Sequence, residues 1–202
     1  MTGWSLPLAF DVECVGLGAP FGWELREYAA ALPPPRALQA AKVAWLLPWG
    51  SATAAGVAEA LQDGLKVRVA EAGFRLAGRS WPAGTAIVRV AENPADAGDR
   101  LARIARAHAA EVVAVDSGYV EEGVSLGSGR VRLLEKPRVL LAWDRPTSSQ
   151  SAGWARWVLE RRYGQPVSAV RVSALRRVDL TRFDVVVLPS GDYGDAIGPG
   201  VV

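Results

Sequence analysis

Arg138-Val-Leu-Leu-Ala-Trp143, then Asp144-Arg-Pro-Thr-Ser-Ser-Gln150, then a helical pattern from Ser151 to Tyr163, is the stretch on which the fold reading turns. The first run is apolar and of strand length, the second is a polar loop, and the third has apolar residues at helical spacing. Ser168 to Val172 reads as a second strand and Phe183-Asp-Val-Val-Val-Leu188 as a third. Strand, loop, helix and strand in this order predict a parallel α/β unit. Such strands need helices on both faces, yet only a Gly/Pro-rich stretch follows Pro189-Ser-Gly191. The unit over residues 135–202 is therefore expected to be incomplete, and the chain a piece of a longer protein with an uncovered strand edge, so that alone it is expected either to be marginally stable or to self-associate through that edge.

Residues 36–134 read as a separate α/β or α+β domain. Lys42-Val-Ala-Trp-Leu-Leu47 is a continuous apolar run, expected as a buried strand, and Ala52 to Gln62 is an alanine-rich helix that Gly64 stops. Lys66 to Ala70, Gly73 to Gly78, Gly84 to Val90 and Glu111 to Val115 read as strands, with a turn at Ser80-Trp-Pro-Ala-Gly84 and a helix from Pro94 to Ala110. Gly-rich loops lead from there to Pro137. Val43 to Val69 and Val139 to Val172 share the order strand, small-polar loop, helix, strand, giving two βαβ-like starts. Residues 1–35 are a lead-in closed by Leu32-Pro-Pro-Pro35, whose prolines favour an extended spacer.

Composition excludes more than it assigns. The chain has 202 residues, 50% hydrophobic and 22% charged, enough for a sizeable core. Its 23 basic and 21 acidic residues argue against a nucleic-acid partner. The longest apolar runs are too short for a membrane span, and Met1-Thr-Gly-Trp4 does not open a signal peptide. A single cysteine, Cys14, excludes an internal disulfide, and the flanking Asp11 and Glu13 argue against an activated thiolate. The single histidine, His108, lies on an Arg-rich helical stretch and reads as a partly exposed helix residue. A zinc site of His and carboxylate ligands, or a Ser-His-Asp triad, needs more.

The loop Asp144 to Ser151 is the leading site candidate, because ligands of open α/β sheets bind where a strand ends and a helix begins. Asp144, Ser148, Ser149 and Ser151 are the candidate binding groups there, with Thr147 beside them. The ordinary use of Ser149 or Ser151 is to cap the helix. Ser51 and Thr53, in Pro48-Trp-Gly-Ser-Ala-Thr53, hold the equivalent place in the first block, again with capping as the ordinary role. Asp144 and Asp192 form a conceivable acid pair, although solvated loop carboxylates are far commoner. Of the eight tryptophans, Trp154 and Trp157 share a helix face. Packing is their expected role, and exposed rings would mark an interface. Arg161-Arg162 and Arg176-Arg177 read as solvated faces.

Several segments, in order, resemble the non-catalytic C-terminal region of bacterial zinc metallocarboxypeptidase-like proteins of the carboxypeptidase A-type superfamily. They are Thr2-Gly-Trp-Ser-Leu-Pro-Leu8, Trp81-Pro-Ala-Gly-Thr85, Leu126-Gly-Ser128 with Pro137-Arg-Val139, Thr147-Ser-Ser-Gln-Ser-Ala-Gly-Trp154 with Leu159-Glu160, and Phe183 to Pro189. The resemblance covers most of the chain and implies a region like a class I glutamine amidotransferase following a peptidase domain. The family's zinc is held by a His and a nearby Glu with a distant second His. One histidine cannot provide that set, so the resemblance implies zinc only in a peptidase domain upstream and no cofactor here. The amidotransferase Cys and His are not carried over either, since no Cys follows Cys14.

The expected fold is α/β, with mostly parallel sheets and flanking helices, flavodoxin- or amidotransferase-like. The expected function is that of an accessory, non-catalytic module whose partner is the zinc-peptidase domain of its parent, a family often exported to the periplasm or beyond. The alternative is a free-standing α/β module that binds a small polar or anionic ligand at its strand-end loops.

Overall fold

A computed structural model describes residues 38–194, together with 18, 19 and 22. The chain divides into two compact units, Met1–Pro34 and Pro35–Val202. Of the first, the described residues are Gly18 and Ala19, in a bend, and Gly22. Cys14, the lead-in through Val15 and the Leu32–Pro35 linker lie outside the described residues.

The second unit opens with β1 (Ala44–Leu47), α1 (Ser51–Gln62), β2 (Arg68–Ala70), β3 (Phe74–Leu76), β4 (Arg79–Trp81), β5 (Ala86–Arg89), α2 (Ala97–His108), β6 (Val113–Val115), β7 (Glu122–Gly123) and β8 (Val131–Leu133). Five strands form one sheet in the order β6-β1-β5-β2-β8. Every pairing in it is antiparallel. β1 and β2 thus run the same way with β5 between them, and β5 and β6 run the same way with β1 between them. Two strand–helix–strand crossovers interlock, each lending a strand to the other's gap, which is the split βαβ arrangement.

The molecule is therefore mixed α/β, but the expectation of mostly parallel sheets is corrected. The reason lies in β1. A continuous apolar run is usual for a parallel strand, because helices cover both its faces. Here both faces are covered by different layers. Trp45 and Leu47 pack with Ala86 and Val88 against Val57 of α1 and Leu101 and Ile104 of α2. Ala44 and Leu46 pack with Ile87 and Ala70 against Phe74, Leu76 and Trp81 of a smaller sheet. The run reports two-sided burial, not strand direction.

That smaller sheet, ordered β4-β3-β7, is antiparallel throughout. The turn that the sequence reading placed at Ser80–Gly84 falls at Pro82–Thr85, between β4 and β5, with Ser80 and Trp81 taken into β4. The reading missed β4 and the hairpin turn before it, at Ala77 and Gly78, with φ of 55° and 70°, the positive pair of a type I′ turn. Trp81 stacks on Phe74 at 6.3 Å, donates its indole N–H to the Leu76 carbonyl at 3.2 Å and lies 4.4 Å beneath the Arg79 guanidinium. β7 approaches so closely that a Cβ on Gly123 would collide with the Gly73 carbonyl.

Salt links tie the two helices together. Arg103 on α2 pairs with Glu59 of α1 and with Asp63 at its C-terminal cap, and His108 Nε2 lies 2.6 Å from Glu59 Oε2. Burial pushes the Glu59 carboxyl up, but hydrogen bonds to His108 and Arg103 outweigh it and hold the group below its usual range. Glu92 accepts from Arg68 at 2.8 Å and Arg89 at 2.9 Å.

The rest of the unit holds β9 (Val139–Trp143), α3 (Ser149–Trp157) running into a π-helical turn (Val158–Arg162), β10 (Val167–Arg171) and β11 (Val185–Val187). Their sheet, β10-β9-β11, is parallel at both pairings. α3 packs on one face. On the other, 3₁₀ turns at Val172–Arg177 and Leu180–Arg182 stand in for a helix, placing Val172, Leu175 and Leu180 over Leu140 and Ala142.

Leu46 is fully buried between the two sheets, so Leu46→Ala should cost about 2–5 kcal/mol in urea unfolding. The half-exposed Leu188 should tolerate the same change within about 0.5 kcal/mol.

Candidate functional site

β9 is the middle strand of the parallel sheet. The chain leaves it through α3 for β10 on one side, then crosses back to β11 on the other. The reversal falls at the C-terminal ends of β9 and β11, where open α/β sheets usually hold their ligands. The chain fills that crevice itself. Ser148 N–H donates to the Ser190 carbonyl at 2.7 Å, and Ser190 N–H donates to the Ser151 hydroxyl at 3.0 Å. Thr147 Oγ1 lies 2.9 Å from the Tyr193 hydroxyl, which donates to the Pro189 carbonyl at 2.6 Å. Thr147 and Gly191 also form a bridge. Gly191 is required for it: a Cβ there would sit 2.8 Å from the Pro146 carbonyl oxygen and 3.0 Å from Thr147 Cα.

These bonds settle several candidate residues. Ser148, not Ser149 or Ser151, is the N-cap of α3, accepting from Ser151 N–H at 3.4 Å. Ser151 joins the two loops instead. In the first block the N-cap of α1 is Gly50, with no side-chain cap bond. Thr53 is buried and turns its hydroxyl back to the Pro48 carbonyl at 2.6 Å, while Ser51 is exposed at the first helical position. Neither serves as the cap that the sequence predicts, because the glycine leaves no side chain at the capping position. Asp144 and Asp192 do not pair with each other. Asp144, with φ of 69°, accepts from Arg145 N–H and lies 3.7 Å from Arg171, and Asp192 accepts from Gly194 N–H.

Of the proposed binding groups, Asp144 and Ser149 meet at a cavity of roughly 480 Å³. It opens beside the closed crevice, on the α3 face of the sheet. Its floor is Leu141 and Trp143 of β9 with Ala169 of β10, and its wall is Ala152, Gly153 and Arg156 of α3. Arg145 and Thr147 complete the rim. Sequence reading missed Arg145, Arg156 and Trp143 as site residues. Arg156 lies seven residues after Ser149, two turns along the same side of α3, which was the available signal.

A second feature of this unit is apolar and exposed. Trp143, Trp154 and Trp157 are 46%, 59% and 50% exposed, and Trp154 and Trp157 meet edge-to-face at 5.7 Å. Val185, Val186 and Leu188, on and just after the edge strand β11, are also exposed. By contrast Trp45 and Trp81 are core residues.

The chain has one histidine, engaged with Glu59, and among the described residues no three His, Cys, Asp or Glu side chains group as metal ligands. No described helix is long and apolar enough to cross a membrane. No family model, curated protein or solved structure matches the chain.

Two measurements probe the site's frame. Gly191→Ala should destabilise by about 1–3 kcal/mol through overpacking and should speed amide exchange at Ser148 and Ser190. Hydrogen bonds from the guanidinium and backbone N–H of Arg138 hold the Asp184 carboxyl at about 2. Its unfolded value is about 3.9, so its contribution is complete above about pH 4 and is lost as pH falls towards about 2. The melting-temperature gap between the native chain and Asp184→Asn should hold constant above about pH 4 and close on further acidification.

Proposed function

We propose that the chain is an accessory, non-catalytic region of a zinc carboxypeptidase-like protein, whose C-terminal unit presents its exposed tryptophan and β11 surface to the peptidase domain. The observation that carries the reading is that surface, on a unit bearing two segments of the resemblance, Thr147 to Trp154 and Phe183 to Pro189. Large apolar side chains exposed in number on one part of a molecule mark interaction sites, and Trp is among the residue types enriched at the energetic centre of interfaces. Further segments of the resemblance serve the frame. Trp81 and Thr85 are buried, and the Thr85 hydroxyl closes its turn on the Pro82 carbonyl at 2.7 Å. The strand order β10-β9-β11 follows the opening 2-1-3 of flavodoxin-like sheets, which supports an amidotransferase-like reading of this unit. Export of the parent is part of the same proposal.

The test is titration of the purified chain against the isolated zinc-peptidase domain of such a protein. A complex is expected, weakened about tenfold or more by Trp157→Lys, since a desolvated aromatic anchor contributes about 2 kcal/mol or more. No complex, or peptidase activity from this chain alone, overturns the proposal.

A further inference from the structure

We propose that the cavity between α3 and the β9–β10 face is a binding site for a small planar organic anion, of which an aromatic carboxylate is the simplest form. The inference does not need the accessory reading, because β9, β10, α3 and the loop before α3 line the cavity without any partner.

Its size falls within the range of small-molecule sites. Its shape comes from small residues. Ala152 and Ala169 offer little bulk, and a Cβ on Gly153 would meet nothing within 4 Å. Leu141 is buried beneath, and Trp143 is half-exposed with a flat apolar ring at the floor. This side of the site selects a flat apolar body.

The charge around it selects an anion. Residues 135–194 carry ten Lys and Arg against six Asp and Glu. Two of these cations line the cavity. The Arg145 guanidinium makes no hydrogen bond or ion pair among the described residues. Arg156 commits its Nε to Glu160 at 2.8 Å, which leaves its terminal nitrogens for a ligand. The guanidinium is a planar fork that matches a carboxylate and stacks on flat ligands. The Ser149 hydroxyl, bonded to no described residue, is a further donor at the wall. Asp144 is the opposing charge, and it is turned aside by Arg171 at 3.7 Å and by the Arg145 backbone N–H at 2.9 Å.

The experiment is calorimetric titration of the purified chain with 2-naphthoate, with 2-naphthalenemethanol as its neutral counterpart. Saturable single-site binding of the naphthoate is expected, with the alcohol about tenfold weaker or more, because a charge-assisted hydrogen bond is lost. Arg145→Gln, at an exposed position with no partner among the described residues, should weaken the naphthoate by a similar factor. Gly153→Phe should abolish binding by filling the space. It should leave the melting temperature unchanged or higher, since glycine is the weaker helix former. Trp157→Ser should bind the naphthoate as the native chain does, which separates the cavity from the exposed apolar face. Three results overturn the proposal: no saturable naphthoate binding, equal affinity for the alcohol, or binding that Arg145→Gln and Gly153→Phe leave unchanged.

Discussion

Burial of β1 on both of its faces is the constraint around which the first part of the molecule is arranged. A strand whose four residues are all excluded from water needs one layer against Trp45 and Leu47 and another against Ala44 and Leu46. Helices α1 and α2 form the first layer, and their own union is charged, through Arg103, Glu59, Asp63 and His108. The second layer is the β3–β4–β7 sheet, whose centre is Trp81 on Phe74. Because β5 and β1 each sit inside the other's crossover, each helix covers a strand of the other's crossover as well as its own.

The parallel unit is built on a different economy of cover. β9 is buried on both faces through Leu140 and Leu141, but the layers over it are short. One is the single helix α3, and the other is made of 3₁₀ turns. β11 lies at the edge with its valines half in water. The apolar surface of this unit thus follows from the same burial demand that β1 satisfies in full.

The strand-end crevice shows how backbone demand competes with ligand binding. Loops that end strands and open helices carry unpaired N–H and C=O groups, which must find partners. Thr147, Ser148, Ser151 and Tyr193 supply those partners here. The hydroxyls of Thr147, Ser148 and Ser151, which look available in the sequence, are therefore committed. The groups left to face the cavity are Arg145 before the helix and Ser149 and Arg156 along it.

Local structure was legible wherever it depends on near neighbours. The strand at Arg138–Trp143, the helix ending near Gly64 and the edge strand at Phe183–Leu188 all follow from runs of one residue class and from the stops beside them. The strand–helix–strand order of each block was legible for the same reason. Direction and neighbourhood were not. Lys42–Leu47 has the same apolar pattern whether its neighbours run parallel or antiparallel, because the pattern records only exclusion of water. Which hydroxyl caps, which one bridges, and that Arg145 and Arg156 face one cavity depend on residues far apart in the chain, such as Ser190 and Ala169. Residue type and spacing determined what each segment could form; only the tertiary structure decided which segments meet, because that choice is made by packing between surfaces that no local stretch contains.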